Sequence, residues 1–165
     1  VHDLSVHLRA VSPDDLPHFF AHQQDPLARH QAAFVSGDPT DWQTFLMRWE
    51  KMLADETIVV RTILFENRVI GYIASFLQFG KPSACYWLDR DCWGQGLATA
   101  ALRNFVREVK TRPLYARVVK DNHASLRVLA RCGFIVCGED RGFASARGSE
   151  VEEYILELPP LFAPL

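Results

Sequence analysis

The sequence has no run of lysines and arginines that would track a phosphate backbone or an anionic lipid surface. Its net charge is −2, with both signs interspersed, so neither a nucleic-acid nor a membrane partner is expected. No apolar stretch approaches the ~20 residues that a membrane-spanning helix needs, and the opening residues lack the charged-then-apolar layout of a secretion signal. A cytoplasmic location is the expectation from those absences. The four cysteines, Cys85, Cys92, Cys132 and Cys137, form neither the close pairs of a zinc site nor the density of a disulfide scaffold, and read as free thiols. His18 and His22 sit one helical turn apart, yet no third ligand stands nearby, so no metal is expected. Repeats, linkers and low-complexity segments are also missing. The 165 residues, 48% hydrophobic and 12% aromatic, therefore read as one domain with one core.

What is present is a sequence of alternating periodicities. Residues 5–11 alternate apolar and polar, as a half-buried strand does. Ser12, Pro13 and Asp15 give a helix start, and the first helix is expected to run to about Gln24. Asp38-Pro39 repeats the signal before Trp42, Phe45, Leu46, Trp49 and Leu53, whose three-and-four spacing makes one apolar stripe. Between Thr57 and Leu88, β-branched and aromatic runs break at Glu66-Asn67 and at Gly80-Lys81-Pro82, predicting three antiparallel strands in a meander. Beyond Leu97, Ala98, Ala101, Leu102, Phe105, Val106 and Val109 line one helical face. A strand over Leu114 to Val119, a helix over Asn122 to Cys132 closed by Gly133, and strands over Phe134 to Cys137 and Val151 to Leu158 follow. Together these make an α+β sandwich around a mixed sheet.

The chemistry is concentrated where residues 86–102 pass from strand through glycines 94 and 96 into an amphipathic helix. The first N–H groups of a helix lack intrahelical partners and sit at the positive end of its dipole, so such a turn suits an anion. Glycine permits close backbone approach and a left-handed turn. The same glycines also serve a plain tight turn. A dinucleotide fingerprint fits poorly, because Thr99 replaces the third glycine and the preceding strands form a meander. A P-loop is excluded by its missing lysine.

Trp93-Gly94-Gln95-Gly96-Leu97-Ala98-Thr99 resembles the acetyl-CoA signature of the GCN5-related N-acetyltransferase (GNAT) superfamily, whose general form is Gln/Arg-x-x-Gly-x-Gly/Ala. Downstream, Asn122-His-Ala-Ser125, continuing to Leu129 and ending in Gly133-Phe134, resembles the second family motif. The branch it looks most like is that of the Rim-type ribosomal-protein N-terminal acetyltransferases. The resemblance covers about residues 5–158 and is specific from 84 to 134. It implies a GNAT-like α/β/α sandwich whose mostly antiparallel sheet splays between strands 4 and 5. It also implies acetyl-CoA as donor, a primary amine as acceptor and no metal. Family members are commonly monomers or homodimers.

By that resemblance, backbone N–H groups of Trp93, Gly94, Gln95, Gly96, Leu97, Ala98 and Thr99 hold the pyrophosphate. The strand end at Leu88, Asp89 and Arg90 pairs with the pantetheine arm, and the preceding strand bulges. The N–H of Leu88 is the candidate donor to the thioester oxygen. Asn122 has two readings, a pantetheine contact or a helix cap. Ser125 is the candidate proton donor to the departing thiolate, with a locally bonded helix serine as its alternative. Arg131 stands near the ribose phosphate or adenine end, or is simply solvated.

The sequence departs from the family in three places. Many members carry a tyrosine acid where Leu129 stands. Rim-type relatives often have glutamates where Ser83 or Ala84, and Ala100, stand. The base is consequently not singled out among Glu50, Glu66, Asp89, Glu152 and Glu153. Acceptor choice is expected in the helices from Pro13 to Leu53 and in a mobile loop from Glu139 to Glu150, rich in glycine and serine. Trp42 and Trp49 either line the acceptor pocket or belong to the core. Besides an acetyltransferase, the departures leave open a CoA-binding regulatory or structural module without catalysis, and a nucleotide-binding protein of another class.

Overall fold

The computed structural model describes residues 5–35 and 37–160. Seven strands make one sheet in the order β1-β2-β3-β4-β5-β7-β6: β1 Val6–Ala10, β2 Val59–Phe65, β3 Arg68–Gln78, β4 Lys81–Leu88, β5 Leu114–Val119, β6 Ile135–Ala144 and β7 Ser149–Leu158. Every neighbouring pair is antiparallel except β4 and β5. The helices are α1 Leu16–His22, α2 Pro26–Ala32, α3 Trp42–Ala54, α4 Leu97–Glu108 and α5 His123–Arg131. This is the expected α+β GNAT-like sandwich with a splayed mixed sheet.

The splay is visible in the ladders. β4 runs against β3 through eight consecutive partners, from Gly71↔Leu88 to Gln78↔Lys81, but meets β5 only at Ser83↔Tyr115. The remainder of the β4 edge therefore faces a gap. β4 does not bulge against β3, contrary to the expectation. The irregularity lies between β2 and β3, where the register shifts at Ile63 and Leu64. Gly71, beside that shift, has no room for a side chain, because a Cβ there would lie 2.0 Å from the Trp87 carbonyl oxygen.

Two buried clusters sit on opposite faces of the sheet. One packs Leu97, Ala101, Leu102 and Phe105 of α4 and Leu129 of α5 against Ile63, Ile70, Ile73, Leu88 and Leu114. The other packs Leu16 and Phe19 of α1 and Phe45 and Trp49 of α3 against Val60 and Ala74. Trp49 is buried in this cluster and also borders the cavity described below, with its ring 4.8 Å from that of Tyr72.

Four local expectations are corrected. The first helix breaks into a 3-10 turn at Pro13–Asp15 and α1, because Asp15 is turned inward to Arg9 and Thr62. α2 was not foreseen; Asp25-Pro26 starts it, a signal hidden by the expected extension of helix one. α3 starts later than Asp38-Pro39, since the Asp41 carboxylate accepts the Thr44 N–H at 3.1 Å. The mobile loop from Glu139 to Glu150 is instead the arms of a β6–β7 hairpin, with register running to Ala144↔Ser149. Its glycines 138 and 142 lie within a strand, and the polar cross-strand pair Arg141–Glu152 stabilises an exposed ladder that carries little apolar patterning.

Candidate active site

Leu88 ends β4 and Arg90 opens a 3-10 turn, Arg90–Cys92, so strand geometry stops before Arg90. Two contacts fix this corner: the Asp89 carboxylate accepts the Asp91 N–H at 3.1 Å, and the Trp93 indole N–H donates to the Leu88 carbonyl at 3.0 Å. Asp89 N–H donates to the Ile70 carbonyl at 2.7 Å. Since antiparallel ladders alternate, the amide of Leu88 belongs to the edge facing β5, and its N–H points to the gap. The Leu88 carbonyl, with one lone pair taken by Trp93, keeps a second.

Past Trp93 the chain turns left-handed twice, with φ of 76° at Gly94 and 78° at Gly96. Gly96 caps α4, and the first helical bond runs from Ala100 N–H to the Gly96 carbonyl at 3.1 Å. The amides of Gly94, Gln95, Gly96, Leu97, Ala98 and Thr99 have no acceptor among the described residues; that of Trp93, expected to hold the pyrophosphate with them, instead donates to the Arg90 carbonyl at 3.1 Å. Space above Gly94 is open: a Cβ there meets nothing within 4 Å. Leu97 and Thr99 turn their side chains into the protein, which leaves only their backbone for a ligand. These unpaired donors at a helix's positive end fit a diphosphate.

Across the gap, α5 begins at Asn122, whose side-chain oxygen accepts the Ser125 N–H at 3.3 Å. The capping role is therefore the one its oxygen performs. The Ser125 hydroxyl lies 3.1 Å from the Tyr86 hydroxyl. Tyr86 comes from β4, on the same face as Leu88, and sequence reading overlooked it. The signal was available, because two-residue alternation puts 84, 86 and 88 on one face. Burial pushes the Tyr86 phenol up from its ordinary value, against the pull of the Ser125 hydrogen bond. Leu129, where a tyrosine acid was sought, is buried core. Arg131 is exposed in the last turn of α5.

The gap opens into a cavity of about 710 Å3 that Tyr86, Asn122 and Ser125 share with residues of the α1–α3 face. Its aromatic wall includes Phe19, Phe45, Trp49, Tyr72, Phe76 and Trp87. From β7, Glu153 enters the cavity opposite Val119, and its Oε1 lies 2.8 Å from Arg117 Nε. Burial raises the Glu153 carboxyl above the ordinary value, with the Arg117 charge opposing. Glu152 instead faces Lys120 and Arg141 on the outside, and Glu50 and Glu66 are exposed. Asp89 pairs loosely with His22 at 3.6 Å and with Arg68 at 3.8 Å and is not among the residues that line the cavity.

The fold has a splayed parallel pair, a glycine turn of unpaired amides and a hydroxyl pair beside the gap, and the sequence matches the acetyltransferase (GNAT) domain model over residues 5–135. The chain belongs to that family. As a GNAT member it is an acetyl-CoA-dependent N-acetyltransferase. Solved structures agree on the fold. A putative phosphinothricin N-acetyltransferase is 23% identical, with 96% of this chain and 100% of that one covered and a TM-score of 0.76. Spermidine N-acetyltransferase from Vibrio cholerae, solved with CoA and spermine, is 15% identical, with 93% and 95% covered and a TM-score of 0.75. Mycobacterium smegmatis RimJ, solved with CoA-disulfide, is 19% identical, with 92% and 80% covered and a TM-score of 0.74. At such identities the likeness concerns the fold alone. No curated protein matches the sequence. Among the described residues no helix is long and apolar enough to cross a membrane.

Proposed function

We propose that this GNAT domain acetylates a primary amine by direct attack in the β4–β5 gap, with Tyr86 and Ser125 as the proton-donating pair. The observation that carries this is the 3.1 Å hydroxyl contact, at the wall of the cavity that opens from the β4–β5 gap. Acetyl-CoA supplies an activated acetyl group and a thiol leaving group. The amides from Gly94 to Thr99 hold its diphosphate, with Trp93 bracing the turn through its bond to Leu88. The Leu88 N–H stabilises negative charge as it grows on the acyl oxygen.

Tyr86 keeps its proton at neutral pH, because burial raises its phenol. It hands that proton to the departing sulfur directly or through Ser125. Glu153, desolvated and in the cavity, takes the proton that the ammonium must lose before its nitrogen has a lone pair. Asn122 sets the start of α5 and so the position of Ser125. Arg131 adds a charge for the distal phosphate end. The Rim-type motif spellings support placement near that branch.

Thiol release from acetyl-CoA with an amine panel tests the proposal. Release above background that falls in Tyr86→Phe and Ser125→Ala supports it. CoA binding without release on any amine would favour a binding module instead.

A further inference from the structure

Not every arginine of the cavity meets a carboxylate at ion-pair distance. Four arginines line it, Arg29, Arg48, Arg117 and Arg141. Arg117 is paired with Asp140 and Glu153, and Arg141 with Glu150 and Glu152. The other lining carboxylates, Asp38 and Asp41, keep their charge while accepting from the Thr40 and Thr44 amides and hydroxyls, and Asp38 feels the charge of Arg29, but neither lies within ion-pair distance of an arginine. Arg29 and Arg48 have no ion-pair partner among the described residues.

Near Arg48 the wall offers donors. Trp87 stands opposite Tyr72 in the β3–β4 register, and Cys85 is two residues along on the same face. The Trp87 indole N–H is buried with no acceptor, and neither the Tyr72 hydroxyl nor the Cys85 thiol has a partner among the described residues. Tyr72 stays protonated: burial pushes its phenol well up, with the nearby Arg48 charge opposing. Cys85 is exposed and lines the cavity. A buried donor without an acceptor, as at Trp87, is costly, and a guanidinium near such a donor and a free hydroxyl is the chemistry that receives an anion. Aromatic rings surround this corner, with Phe19 5.3 Å and Trp49 4.8 Å from Tyr72.

From this we infer that the acceptor is a small amine that also bears a carboxylate on an apolar body, as a free apolar amino acid does, its anion held by Arg48, Trp87 and Tyr72. The inference rests on the acetyl-transfer reading for the fate of the amine, but the anion corner is a binding claim in its own right. A polyamine would bring positive charge to a guanidinium, and a protein N-terminus would bring an uncharged peptide group where the carboxylate belongs. The amine end lies toward Glu153, whose carboxylate enters the same cavity.

The test is calorimetric titration of CoA-saturated protein with leucine, methionine, phenylalanine and tryptophan, each beside its own carboxamide. At least one acid is expected to bind about tenfold tighter than its amide, because a site built around a charged partner rejects the analogue that lacks it. Arg48→Gln, at an exposed position of α3, is expected to abolish that preference while leaving CoA affinity unchanged, and Trp87→Phe to weaken it. Equal binding of acid and amide, binding of neither, or an undiminished preference in Arg48→Gln overturns the inference. Acid binding without thiol release would count against acetyl transfer and leave the anion corner standing.

Discussion

The hydroxyls of Tyr86 on β4 and Ser125 on α5 stand 3.1 Å apart beside the one parallel junction among the described strands. Two groups 39 residues apart in sequence are thereby brought together as the proposed proton relay, where β4 and β5 part after a single ladder pair. Removing either hydroxyl should act on turnover rather than on binding. Tyr86→Phe and Ser125→Ala are each expected to lower kcat roughly 10- to 100-fold with little change in KM for acetyl-CoA. The double variant should fall less than the product of the two, as residues of one relay do. Steady-state kinetics on all three decides it.

The pH profile separates the base from the acid. The Glu153 carboxyl is raised by burial, so activity should climb through a midpoint above the ordinary glutamate range as that group loses its proton. In Glu153→Gln that limb should vanish, leaving the acceptor's own titration, with kcat down roughly 100-fold. Tyr86, held protonated by burial, should sustain turnover up to the ordinary tyrosine range.

Acid stability should depend on Asp15. Burial alone would raise its carboxyl, but hydrogen bonds from Arg9, Thr62 and the Ser12 amide hold it down at about 2, from 3.8. A depressed carboxyl stabilises the fold above its unfolded value near 4, and that contribution is lost as pH falls toward 2. The difference corresponds to about 2 kcal/mol. Urea unfolding of Asp15→Asn should show a loss of at least about 2 kcal/mol at pH 7, and a flatter dependence between pH 5 and 2 than the parent.

Gly71 should be intolerant of any side chain. A Cβ would sit 2.0 Å from the Trp87 carbonyl oxygen and 3.1 Å from the Leu88 Cα, both backbone atoms. Gly71→Ala is expected to cost roughly 3 kcal/mol in urea unfolding. By displacing the end of β4, it should also weaken CoA binding.

The helices and strands around the site were legible because their periodicity is strong. The α4 face from Ala98 to Val106 packs as its spacing implied, and the meander breaks at Glu66-Asn67, both left-handed in the structure. The glycine turn was legible for the same local reason. Tyr86 was not, since its role depends on a partner from another element, which periodicity alone does not reveal. The β6–β7 hairpin was hidden because its outer strand is largely exposed; with no buried face, the alternation that marks a strand is absent. Likewise, only the tertiary arrangement shows which carboxylate enters the cavity, and Glu152 and Glu153, adjacent in sequence, point to opposite fates.

Acetyl transfer in the β4–β5 gap requires that the amides between Gly94 and Thr99 grip the diphosphate and so aim the thioester at Tyr86 and Ser125. Calorimetric titration of CoA into the parent and Gly94→Ala tests it most directly. The added methyl meets no protein atom within 4 Å, so the variant should fold with only the modest strain of a left-handed alanine, about 1 kcal/mol. One site per chain in the parent, weakened at least about tenfold in the variant, is the predicted result; identical affinity in the two proteins would contradict the account.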